Sequence, residues 1–120
     1  MSNIEFTVIS IPTHLSRNKS KEWREQTIRT FTSLCSFLYK NQLITGVNPF
    51  YANGELNLDT VIKISNLTSE GLEFYKMVIP GWYSYLDKSI VGDKYENVSR
   101  LEKGLAKLRE GNKLINQSKL

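Results

Sequence analysis

His14 is the one imidazole in the chain. With a serine and a carboxylate, a histidine can run acyl transfer by taking the serine proton. No nucleophile-elbow pattern accompanies it, and its place just after Pro12 predicts a surface loop. Asp93 and Glu96 are near enough in sequence to pair as carboxylates. Gly92-Asp93-Lys94, however, reads as an exposed turn. Cys35 is the single cysteine, which excludes an internal disulfide and a cysteine-based zinc site. It falls inside a helical pattern, so a buried thiol is expected. The seven glycines are scattered, without the clustering that cradles phosphate or a dinucleotide. Together these residues predict a protein with no catalytic residue, no cofactor and no metal.

The elements that would position any site follow from size and pattern. A chain of 120 residues fits one domain and can bury roughly two-thirds of its unfolded surface. Apolar residues at 40% and charged residues at 23% place it among globular chains rather than disordered ones. The N-terminus lacks the basic and apolar regions of a signal peptide. No run approaches the roughly 18 apolar residues of a membrane span. A cytoplasmic protein without membrane association is expected. The net charge of +4 permits a polyanion partner without requiring one. The densest basic run, at 17–21, reads as a solvated loop.

Residues 4–10 alternate and are rich in β-branched types, which predicts a strand ended by Pro12. A loop is expected over 13–18. Trp23, Thr27, Phe31, Leu34, Cys35 and Leu38 recur three and four apart, predicting a helix over 20–41. Asn41 is its expected left-handed stop. Asn53-Gly54 suits a type I′ hairpin turn, with weak pairing of Phe50-Tyr51 and Leu56-Asn57-Leu58 across it. A second strand is predicted at 60–65. Thr68 is the expected cap of a helix over 69–90, which Pro80 must either kink or split, at a cost of ~3 kcal/mol in a helix interior. Ser99-x-x-Glu102 matches a capping box and opens a third helix over 98–110, with Leu101, Leu105 and Leu108 as its apolar stripe. Gly111 is its expected end, and 112–120 its frayed tail. The fold class is therefore α+β: three main helical segments packed with a small β-sheet. Trp23, Leu38, Ile62, Leu72, Trp82 and Leu105 are the expected core.

Two surfaces stand out. Leu72, Tyr75, Ile79, Trp82, Tyr83 and Leu86 form one stripe on the 69–90 helix, and Phe74, Val78 and Tyr85 a second beside it. Together they exceed the ~100° arc of a surface helix. Such an arc fits a helix buried on two sides, or one that leaves Phe74 and Tyr85 partly exposed for a partner, since tyrosine and tryptophan suit interface anchors. Arg100, Lys103 and Lys107 share the face of the last helix opposite the leucines, which reads as an ordinary solvated face or, alternatively, as a site for phosphate or an acidic protein.

The segment Leu58-Asp59-x-Val61-Ile62-Lys63-Ile64-x-Asn66-Leu67-Thr68-x-Glu70-Gly71-Leu72, followed by Trp82, Asp87 and the leucine- and lysine-rich 101–108, resembles small bacterial immunity proteins of polymorphic or contact-dependent growth inhibition toxin systems. The resemblance covers 58–109. It implies a non-enzymatic protein that binds a cognate toxin domain, commonly a toxin's C-terminal domain, and neutralises it by occluding the active site. Many nuclease-neutralising immunity proteins are acidic, whereas this chain is basic. Exposure and charge, rather than the motif, nominate the contact residues: Phe74, Tyr83 and Tyr85 as aromatic anchors, and Asp87, Asp93 and Glu96 as carboxylates facing basic toxin residues. The alternative function is a small basic nucleic-acid-associated regulator, suggested by the net charge and the Arg100, Lys103, Lys107 face.

Overall fold

The computed structural model describes residues 6–17, 20–90 and 92–118, with side chains through 112. The chain runs β1 (Thr7–Ser10), α1 (Ile11–Leu15), α2 (Lys21–Lys40), β2 (Val61–Lys63), α3 (Ser69–Met77), α4 (Ile79–Lys88) and α5 (Ser99–Ser118). This is a mostly helical α+β fold with one small antiparallel sheet. β1 and β2 pair in the register Ile9 to Ile62 and Ser10 to Val61, with an irregularity between Thr7 and Ile9. Residues 4–5 of the expected first strand lie outside the described residues, as do Asn18 and Lys19 of the basic run and 119–120 of the tail.

The first departure from expectation is α1. Ser10 Oγ accepts from the Thr13 N–H at 3.3 Å, and Pro12 occupies the first turn. Proline is harmless there because that N–H has no helical partner. Residues 13–15 of the predicted loop thus belong to a one-turn helix, which buries Ile11 at its start. In α2, Ser20 caps through Trp23 N at 3.1 Å. Phe31, Leu34, Cys35, Phe37 and Leu38 are buried. Trp23 is only half-buried, because the core lies against the C-terminal half of α2. Asn41 has φ −97° and is not the left-handed residue. Gln42, at φ 59°, is.

The 43–60 segment buries Leu43, Ile44 and Leu56 and bridges Phe50 to Leu56. Gly54 has φ 88° while Asn53 is not left-handed, and Gly54 N–H donates to Tyr51 O at 2.9 Å. The turn is therefore the three-residue kind that ends in one left-handed glycine, and not type I′. β2 is shorter than predicted because Ile64–Asn66 tightens into a 3-10 turn. This leaves Ile64 40% exposed.

Thr68 caps α3, its Oγ1 accepting from Gly71 N at 3.0 Å. Pro80 resolves the long helix into two. α3 ends at Met77, Val78 leaves regular geometry at φ −112°, and Pro80 falls in the first turn of α4. Gly71, Phe74, Ile79, Trp82 and Leu86 face inward, while Leu72, expected in the core, is half-buried. α5 buries Leu101 and Leu105. Asn97 Oδ1 accepts from Ser99 N at 3.1 Å, while Glu102 N–H, which the capping box assigned to the Ser99 hydroxyl, donates to Val98 O at 2.9 Å. Gly111 does not end the helix, which runs to Ser118. A glycine stops a helix only when it turns left-handed, and Gly111 does not.

Candidate functional site

α4 decides which residues can meet. At 100° per residue, Tyr83 lies to one side of inward-facing Trp82. Tyr85 lies about 60° to the other. On the Tyr83 side a cleft of about 450 Å³ opens between α4, the N-terminal half of α2, α1 and the 92–97 loop. Tyr75, Tyr83, Tyr95, Trp23 and His14 line it with Phe31, and Arg17 and Asp87 stand on its rim.

The 92–97 loop is fastened from two directions. Lys94 Nζ donates to Leu86 O at 2.6 Å and Ser89 O at 2.8 Å, putting a cation at the negative end of α4. From α2, Arg29 Nε donates to Glu96 at 2.9 Å and Nη2 to Gly92 O at 3.0 Å. These contacts carry Tyr95 into the cleft, with Arg29 4.9 Å and Lys94 5.1 Å from its ring centre.

Burial sets the electrostatics of the cleft and of the core behind it. Burial, and then the charge of Arg17, lower the His14 pKa below its ordinary 6.5. The ring is therefore neutral at neutral pH, tilted against Phe31 at 5.0 Å. It sits half-buried on α1, and not in the surface loop expected. Burial, then the proximity of Cys35 and Tyr75, push the Tyr83 phenol up, so it stays protonated and can donate. Tyr83 is nonetheless 36% exposed, because part of its ring edges the cleft mouth. Burial pushes the Cys35 thiol up to about 12, which removes the thiolate that nucleophilic chemistry needs. Neutral donors, aromatic faces and a rim carboxylate suit a partner's aromatic or cationic side chain.

The structure divides the six expected contact residues. Tyr83 and Asp87 converge on the cleft. Phe74 is a correction: it is fully buried and stacks on Phe37 at 5.3 Å, so it offers no partner surface. Tyr85 is half-buried on the far flank of α4, its ring beneath the Arg100 guanidinium at 4.5 Å. Asp93 is exposed in the turn its carbonyl organises, accepting from Glu96 N and Asn97 N at 3.1 Å. Glu96 is committed to Arg29 and lines a different groove, between α2 and α5. The sequence reading did not assign His14, Trp23 and Tyr95 to this surface. They come from three separate parts of the chain, and no spacing rule joins them. No group of acidic, histidine or cysteine side chains among the described residues is arranged to hold a metal. No helix among them is long and apolar enough to cross a membrane. No protein-family model, characterised protein or solved structure matches this chain.

Proposed function

We propose that this chain is a non-enzymatic protein of the immunity type, which binds a cognate toxin domain and covers its active site. The observation that carries the reading is the cleft itself. It is open and aromatic, and α1, α2, α3, α4 and a pinned loop all contribute to it. Such a surface suits a protein interface because tyrosine and tryptophan give large contact area with few rotamers to freeze. Asp87 on the rim supplies a carboxylate for a basic toxin residue, despite the overall positive charge. Of the aromatic anchors expected from sequence, the proposal retains Tyr83 and adds Tyr95 and Trp23.

The test measures affinity for the polypeptide that co-purifies with this chain from its native cell. Tyr83→Ala and Asp87→Ala should each weaken binding more than tenfold, about 1.4 kcal/mol, with little change in melting temperature. Tyr85→Ala, on the far flank, should leave affinity nearly unchanged. Unaltered binding by the first two variants would remove the cleft from the interface.

A further inference from the structure

The far flank of α4 carries a second groove of opposite chemistry. Met77, Val78, Gly81, Trp82, Gly104 and Leu108 form its apolar floor, about 470 Å³ in volume. Met77 is 72% exposed and, being unbranched and polarisable, adapts to varied apolar partners. Gly104 lets α5 approach closely, since a Cβ there would lie 2.4 Å from a Val78 methyl. Gly81 does the reverse: a Cβ on it would meet nothing within 4 Å, so this glycine leaves the groove open. Arg100 and Lys107 form the charged wall, and no acidic residue lines the groove among the described residues. Tyr85 supports the Arg100 guanidinium from below, so that cation is partly oriented before any ligand arrives. Lys103, exposed on the same helix, adds to the positive field.

We propose that this groove docks an acidic amphipathic segment of a protein partner, separately from the Tyr83 cleft. One apolar side chain of the segment lies over Met77 and Gly81, and its carboxylates meet Arg100 and Lys107. Helix-in-groove recognition has this form, with apolar anchors giving affinity and complementary charge setting orientation and encounter rate. The apolar floor argues against a nucleic acid. A single strand needs an exposed aromatic platform to stack on, and Trp82 is only 1% exposed.

The experiment is an amide chemical-shift titration of the full chain. The probe is a short synthetic peptide of leucine and glutamate in amphipathic helical order. Shifts should cluster at 77–82 and 100–108. Peptides with lysine for glutamate, or serine for leucine, should bind at least tenfold more weakly. Gly81→Leu fills the groove from a position with free space around it. It should weaken the glutamate peptide more than tenfold while keeping the melting temperature level or raising it. Lys107→Glu, a surface change, should weaken it as well. Absence of shifts at millimolar peptide overturns the proposal. So does unchanged affinity in both variants, or tighter occupation of the same residues by a single-stranded oligonucleotide.

Discussion

Trp82→Ala should lower the free energy of unfolding by about 3–5 kcal/mol, the range for truncating a large buried aromatic. The indole is 1% exposed, so the change empties a site shielded from water. It also strands the Asn97 carbonyl, which accepts from Trp82 Nε1 at 3.4 Å at the entry to α5. Both the α4–α5 packing and the start of α5 should suffer. Domains of this size are stable by about 5–15 kcal/mol, so the loss is a large share of the total. Urea unfolding followed by far-UV circular dichroism measures it. An unchanged midpoint would place Trp82 outside the core.

Gly71→Ala should be nearly as damaging, although alanine is the better helix former by about 1 kcal/mol. A Cβ at Gly71 would stand 1.9 Å from the Leu43 carbonyl oxygen, and that neighbour is backbone, so no rotamer change relieves it. The same oxygen accepts from Thr68 N at 3.0 Å and Thr68 Oγ1 at 3.2 Å. Moving α3 away to admit a methyl group therefore loosens its own cap. Overpacking of this kind costs about 1–3 kcal/mol and sometimes more, and the disturbed hydrogen bonds add about 1 kcal/mol each. A net loss of about 3 kcal/mol is expected. Gly81→Ala on α4 is the matched comparison. With open space around it, it should gain about 0.5–1 kcal/mol. Equal effects of the two variants in one denaturation series would show that α3 does not seat on Leu43.

Much of the fold is legible in the sequence because local chemistry governs it. Thr68 caps the helix it was expected to cap, and the helix expected from about residue 20 starts there, behind a Ser20 cap. The Leu101, Leu105, Leu108 stripe faces the core, and Pro80 marks the division of a long pattern in two. Where periodicity failed, it failed by ambiguity. In one continuous helix Leu72 and Phe74 would lie about 80° to either side of Trp82, so spacing alone could not choose between them. The break at Val78 then set the phase of α3 independently, and Phe74 turned inward. Gly111 and Asn41 misled for a related reason. Residue type permits a left-handed stop, but the surrounding backbone decides whether one forms. The cleft was largely illegible. Tyr83 and Asp87 could be nominated from one helix. His14, Trp23 and Tyr95 reach the same surface only through the α1 turn, the seating of α2 and the fastening of the loop by Arg29 and Lys94.

Occlusion and catalysis differ in how much protein they need. The direct test of the proposed role titrates this chain into a fixed concentration of the polypeptide that co-purifies with it, held well above the dissociation constant, and follows that polypeptide's toxic activity. Inhibition by covering the active site should rise linearly and saturate at a fixed whole-number ratio, with activity restored when the complex is dissociated. Full inhibition at a small fraction of that ratio, or activity untouched by excess of this chain, would contradict a non-enzymatic immunity role.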